Sequence, residues 1–309
     1  MDKSKIRKLT KGYEILFILI ISVSLLSGVN YATAQTNSTN QSITQSNNAS
    51  ISSDFVSSNG TLSLSNSTFP LQRENANYYD NVSGYLVFPE NSSSVESSIA
   101  GTKLPAVIMI HEWWGLNDNI KNMADELAKE GYVVLAIDLY KGQVATSPDQ
   151  AMELVNLARE NQNESLSNLK AAVGYLKTLD NVNASKIAAI GWCFGGGQAL
   201  QLALNSNNDS QLAATILYYG NLVTDQEQLS KITGPVLGIF GDQDQSIPTT
   251  DVQKFEDALN ANNITNEIYV YEGVGHAFAN PTGASFAPHE LKDAWQKTLE
   301  FLNKNLKDN

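Results

Sequence analysis

The stretch that decides the fold is Lys186-Ile187-Ala188-Ala189-Ile190-Gly191-Trp192-Cys193-Phe194-Gly195. An apolar run of strand length leads into Gly-x-Cys-x-Gly, and Gly196-Gly197-Gln198-Ala199-Leu200 then reads as the opening of a helix. A nucleophile between small residues on a sharp strand-to-helix turn is a nucleophile elbow: the glycines permit the turn and the side chain stands exposed above the sheet. Cys193 is the single cysteine of the chain, so it has no intramolecular disulfide partner. A thiolate at such a turn attacks carbonyl carbon readily at neutral pH. The competing reading, a small apolar core residue, does not account for the strand–turn–helix context.

Outward from this segment, apolar runs bounded by turn residues recur. They predict strands over 82–88, 105–111, 132–138, 186–191, 213–219, 235–240 and 267–271. Several are continuous rather than alternating, as in strands covered on both faces. Helical patterns fall at 120–130, 149–159, 165–179, 196–204, 250–261 and 288–306. The alternation from residue 105 onward predicts an α/β protein with a mostly parallel central sheet and helices on both faces, an α/β-hydrolase fold. The strand over 82–88 precedes the alternation and is expected as an antiparallel edge.

The first residues carry an export pattern. Lys3, Lys5, Arg7, Lys8 and Lys11 precede an apolar stretch over 15–26, and Ala32-Thr33-Ala34 offers a cleavage site. That stretch is shorter than the roughly 20 residues of a spanning helix, so residues 1–34 read as a signal peptide, with a signal anchor as the alternative and membrane contact only in that case. Residues 35–77 are rich in Ser, Thr, Asn and Gln, with Asp54 the only charge before Arg73. Such a composition buries too little apolar surface to offset ordering entropy and predicts a disordered stalk. Five of the eleven Asn-x-Ser/Thr sequons lie there, at Asn37, Asn40, Asn48, Asn59 and Asn66, and glycosylation after export is expected. Residues 78–309 remain for one domain. The expected location is secreted or cell-surface.

The 309 residues hold 20 Lys+Arg and 32 Asp+Glu, a formal net charge of −12. Cleavage after Ala34 removes five basic and two acidic residues and leaves 15 against 30, a net charge of −15. This excludes a nucleic-acid partner, which calls for basic patches. The three histidines are scattered, and no paired Cys/His spacing points to a metal site. No cofactor is expected.

A cysteine nucleophile needs a base and a group that orients it, in chain order nucleophile, acid, histidine. His276 lies in Gly273-Val274-Gly275-His276-Ala277-Phe278, a loop just after the last predicted strand, whereas His289 follows Pro288 at the start of an amphipathic helix. His276 is the placement for the base. The loop after 235–240 reads Gly241-Asp242-Gln243-Asp244-Gln245-Ser246-Ile247-Pro248 and offers two acids, Asp244 deeper in the turn and Asp242 directly after the strand, where it can hold the turn by hydrogen bonds. An oxyanion hole takes backbone N–H groups from Phe194, next after the nucleophile, and Trp113, in the loop after 105–111. The indoles of Trp113 and Trp114 either wall an apolar acyl pocket or pack the core. Glu112 has two readings, a carboxylate that modulates the nucleophile or one that ties down its loop. His111 and Asp138 read as structural.

These pieces resemble the dienelactone hydrolase family. The motifs that carry it are His111-Glu112-Trp113-Trp114-Gly115-Leu116-Asn117, Ala136-Ile137-Asp138-Leu139-Tyr140, Gly191-Trp192-Cys193-Phe194-Gly195-Gly196, Gly241-x-x-Asp244-x-x-Ile247-Pro248 and Gly275-His276-x-Phe278, in family order over nearly all of 80–306. The resemblance implies a Cys193–His276–Asp244 triad, a Glu112 in contact with the resting thiol, and hydrolysis of a small-molecule ester or lactone through an acyl-cysteine. It places Trp114, Phe278 and Asn280 beside the substrate. Family members acting on dienelactone use an arginine where this chain has Asn280; Arg159 is the candidate in the region of a second carboxylate-binding arginine. The alternatives are a ligand-binding homologue without turnover and an acyltransferase using the same nucleophile.

Overall fold

Six parallel strands form the centre of the sheet. The computed structural model describes residues 6–8, 64, 70–90 and 103–307. In chain order the strands are β1 (Ile6–Lys8), β2 (Leu71–Tyr79), β3 (Val82–Pro89), β4 (Leu104–Ile110), β5 (Val133–Ile137), β6 (Val182–Trp192), β7 (Ala214–Tyr218), β8 (Val236–Gly241) and β9 (Asn266–Tyr271). The helices are α1 (Asp118–Lys129), α2 (Pro148–Glu160), α3 (Gln162–Thr178), α4 (Phe194–Leu204), α5 (Gln226–Leu229), α6 (Thr249–Ala261) and α7 (Pro288–Leu302). Among the described residues the sheet order is β1-β9-β8-β7-β6-β4-β5-β3-β2. Strands β4 to β9 pair in parallel, while β3 pairs antiparallel with β5, β2 with β3, and β1 with β9. This is the α/β-hydrolase architecture that the alternation predicts.

Every side chain of β4 is buried, and the period of two divides them between two cores. Ala106, Ile108 and Ile110 pack on one face with Leu169, Val173 and Leu176 of α3 and Phe255 and Leu259 of α6. Val107 and Met109 pack on the other with Met123 and Leu127 of α1 and Trp295 and Phe301 of α7. Continuous apolar strands are therefore the correct signature here: neither face meets water. Strand order reverses at β4, whose neighbours are β5 on one side and β6 on the other. A crevice opens at the carboxyl ends of strands at such a switch point, and Glu112 and Cys193, which follow β4 and β6, line it.

Two expectations are corrected. Strand 82–88 is antiparallel but not the edge, because β2 lies outside it. Residues 71–77, assigned by composition to the stalk, belong to β2. This strand buries only Ala76 and Tyr78, since an edge strand leaves one face and most of its length in water, so polar residues are compatible with it. Asp138 is structural as expected: its carboxylate accepts the N–H of Tyr140 at 2.7 Å and that of Gly142. The proposed leader and stalk otherwise lie outside the described residues, save residues 6–8, 64 and 70. No helix among the described residues is long and apolar enough to cross a membrane.

Candidate active site

Cys193 sits between β6 and α4 with φ 54° and ψ −116°, a backbone conformation that is strained for a residue with a Cβ. The residues two positions away on either side, Gly191 and Gly195, must be glycine. A Cβ on Gly191 would stand 2.2 Å from the Gly195 carbonyl oxygen, and one on Gly195 2.3 Å from that of Ile110. Close packing of α4 against β4 and β6 thus fixes where the thiol points.

The loops after β8 and β9 bring the other two groups in. His276 Nε2 lies 3.0 Å from Cys193 Sγ, and His276 Nδ1 lies 2.8 Å from Asp244 Oδ2. The other oxygen of Asp244 accepts the N–H groups of Ser246 at 2.7 Å and Ile247 at 3.1 Å. Asp242 points elsewhere: Oδ1 accepts the Gly273 N–H at 2.7 Å and ties the two loops together. Of the two carboxylates left open by the residues, Asp244 is the one on the histidine. His289 is exposed on the first turn of α7. His111 is fully buried and satisfied, Nδ1 against the Glu112 carbonyl and Nε2 accepting the Leu139 N–H at 3.1 Å; burial lowers its pKa and keeps the ring neutral.

Charge in the site is organised by these contacts. Burial opposes a charged imidazole at 276, but hydrogen bonds to Asp244 and Cys193 and their negative charges outweigh it and raise His276 to about 10. Burial likewise disfavours the Asp244 carboxylate, yet the His276 hydrogen bond and the two backbone N–H groups hold it below its ordinary value. Glu112 is the opposite case. Burial raises it to about 7, against the lowering effects of the His276 charge and the Asn280 hydrogen bond.

A cavity of about 430 Å³ opens over the thiol. Cys193 and His276 line it together with Phe194, Trp113 and Trp114, and the two indoles stack edge to face with centroids 5.0 Å apart. Both tryptophans thus wall the cavity while packing on a small apolar cluster with Tyr140, Leu154 and Val155. Arg159, on the last turn of α2, is exposed and reaches the same wall.

Of the three residues assigned to the pocket, Trp114 and Asn280 line the cavity and Phe278 does not. Phe278 has no exposed surface; it packs on Tyr219 and Tyr271 with centroids 5.7 and 5.3 Å away. The positive φ of Ala277, 60°, turns the chain so that residue 278 enters the core. Asn280 lines the cavity but is buried, and its Nδ2 donates to Glu112 Oε2. Glu112 is therefore hydrogen-bonded to Asn280, while the thiol meets His276. Sequence reasoning missed Tyr219, a buried cavity residue whose ring lies 5.1 Å from that of His276 and whose hydroxyl interacts with the Glu112 carboxyl. Its position at the carboxyl end of β7, directly before Gly220, is the signal that was available.

Sheet order, elbow and the Cys–His–Asp arrangement define an α/β-hydrolase. The sequence profile of the dienelactone hydrolase family matches residues 91–306, and the chain belongs to that family; it is a hydrolase of the ester- and lactone-cleaving kind. It is 31% identical over 226 residues to "Protein usf" of Aquifex pyrophilus, a match covering 71% of this chain and 97% of that one. It is 30% identical over 227 residues to the "Putative carboxymethylenebutenolidase" of Aquifex aeolicus, with the same coverage of 71% and 97%. Among solved structures, the "Putative Dienelactone Hydrolase" of Klebsiella pneumoniae superposes with a TM-score of 0.65 at 28% identity, covering 77% of this chain and 99% of that one.

Proposed function

We propose that this chain is an exported, cysteine-dependent carboxylester or lactone hydrolase working through an acyl-cysteine. The observation that carries the reading is the continuous hydrogen-bonded line Cys193 Sγ, His276, Asp244 on the floor of a cavity large enough for a small ester. The Cys193 thiolate attacks the acyl carbon, and the oxyanion is held by the N–H groups of Phe194 and Trp113. Collapse breaks the ester C–O bond, and the leaving alkoxide takes the proton of the His276 imidazolium. His276, now neutral and oriented by Asp244, removes a proton from water as it adds to the thioester. Expulsion of the thiolate releases the acid, and the proton remains on His276.

The substrate is a small neutral or singly charged ester. The cavity walls are largely aromatic and aliphatic, with Arg159 as the cationic group on the rim. Export rests on the basic start, the apolar stretch and Ala32-Thr33-Ala34; cleavage there removes Ile6–Lys8 and leaves β9 as the sheet edge. The test is hydrolysis of a short-chain p-nitrophenyl ester series by wild type and Cys193→Ala, with mass spectrometry of acid-quenched enzyme. Loss of turnover in the variant and an acyl adduct on the peptide holding Cys193 are expected. Equal turnover by Cys193→Ala refutes the mechanism, and N-terminal sequencing of the secreted form tests the leader.

A further inference from the structure

We infer that the order of strands in the sheet sorts the two halves of an ester across Cys193: the acyl group lies on an apolar wall of Trp113, Trp114, Met152 and Val155, with Met152 selecting acyl groups of about four to eight carbons. The inference deepens the ester-hydrolase reading above and rests on it. Cys193 follows β6, which has β7, β8 and β9 in succession on one side and β4 and β5 on the other. The cavity inherits that division. Its side over β7, β8 and β9 carries Asn221, Ser246, His276 and Asn280. Its side over β4 and β5 carries Trp113 and Trp114, from the loop after β4, and Met152, Val155 and Arg159, from the helix α2 that follows β5.

The chemistry fixes which half goes where. The leaving oxygen takes its proton from His276 and must lie within hydrogen-bond reach of it, so the alcohol points toward the loops after β8 and β9. Asn221 and Ser246 are exposed on that side, a polar exit open to water. With the oxyanion on the N–H groups of Phe194 and Trp113, the remaining substituent of the acyl carbon is left with the opposite wall. That wall is apolar: it holds the two indoles, the buried Val155 and Met152, which is 47% exposed. Met152, Val155 and Arg159 fall at i, i+3 and i+7, one stripe along α2, and Arg159 limits its apolar length. Leu157, the other exposed apolar side chain of α2, lies off this stripe and lines a separate small cavity with Leu154 and Asn161. An exposed methionine alone needs no explanation. One at the end of an apolar stripe beside a nucleophile is buried when an acyl chain is laid against it, a gain of about fourfold in affinity per methylene covered.

The test uses ethyl hexanoate and hexyl acetate, isomers of one composition that carry the long chain on opposite sides of the ester bond. Hydrolysis by the full chain is followed by pH-stat in wild type, Met152→Gln and Leu157→Gln. Ethyl hexanoate is expected to be cleaved with a kcat/KM about tenfold or more above that of hexyl acetate. Met152→Gln keeps the length of the side chain and puts an amide on the wall. It is expected to lower kcat/KM for ethyl hexanoate about fivefold and to leave ethyl acetate within about twofold. Leu157→Gln is expected to leave these substrates unchanged. Equal rates on the two isomers, or equal effects of the two substitutions, overturn the inference. Calorimetric titration of Cys193→Ala with ethyl hexanoate, with and without Met152→Gln, reads the wall without turnover. Binding weakened by Met152→Gln, when the wild type cleaves neither isomer, contradicts the proposed function and leaves the acyl wall standing. Binding unaffected by Met152→Gln overturns the wall itself.

Discussion

Gly195→Ala tests whether the elbow works by close packing. The new Cβ would lie 2.3 Å from the carbonyl oxygen of Ile110 and 2.5 Å from that of His111, both backbone atoms of the β4 exit. Since real Cβ contacts do not fall below 3.0 Å, the start of α4 must retreat by at least 0.7 Å, the difference between 3.0 and 2.3. Phe194, whose N–H is the proposed oxyanion donor, lies in that turn, and Cys193 precedes it. A displacement approaching 1 Å at reacting groups costs about 10²-fold in rate, and overpacking of this kind destabilises by about 1–3 kcal/mol. Two residues on, Gly197 provides the control: its Cβ would meet Asn221 at an ordinary 3.5 Å, and alanine in a helix is favoured over glycine by about 1 kcal/mol. The assay is kcat/KM on a p-nitrophenyl ester together with urea unfolding of both variants. Gly195→Ala is expected to lose about two orders of magnitude in kcat/KM and Gly197→Ala to retain activity with equal or higher stability. Near-wild-type activity in Gly195→Ala, or equal losses in the two variants, refutes the packing argument.

Asp244→Asn presents an amide N–H₂ to His276 Nδ1, forces the other tautomer and removes the base at Nε2; kcat is expected to fall about 10²–10⁴-fold. The same variant tests linkage. His276 is raised from 6.5 to about 10, so its contribution to stability is complete below pH 6.5 and lost as pH rises toward 10. Asp244, held below 3.8, contributes above that value and loses its contribution as pH falls past it. The stability difference between wild type and Asp244→Asn, followed by melting temperature, is therefore expected to be largest between about pH 4 and 6.5, roughly 1–2 kcal/mol after solvent screening, and to shrink toward pH 10; a difference that grows with pH contradicts the assignment. Arg159→Ala is expected to raise KM for esters carrying a carboxylate while leaving neutral esters within about threefold, read from paired kinetics. Phe278→Ala is expected to destabilise by about 3–5 kcal/mol, seen in urea unfolding, with little change in KM for whatever fraction stays folded.

The elbow, the parallel sheet and the candidate base were legible because each is written in contiguous residues. Strand, sharp turn and helix follow from local apolar period and from small residues where backbones touch, as in Gly191-Trp192-Cys193-Phe194-Gly195. The edge strand β2 was not legible, since one face in water allows the same polar composition as a stalk. Phe278 was misread for a different reason: a motif gives its distance along the chain from His276, and only the turn at Ala277 decides that it points inward.

What the sequence by itself determined is the fold and the chemical types at its functional loops: a thiol, an imidazole, carboxylates and amides in an order that the strands carry to one edge of the sheet. What only the tertiary structure decided is pairing. Asp244 and not Asp242 meets His276, and Glu112 meets Asn280, 168 residues away, rather than the thiol. Hydrogen bonds form between groups a few ångströms apart in space, and chain separation carries no information about that distance until the loops at the carboxyl ends of β4, β6, β8 and β9 have converged.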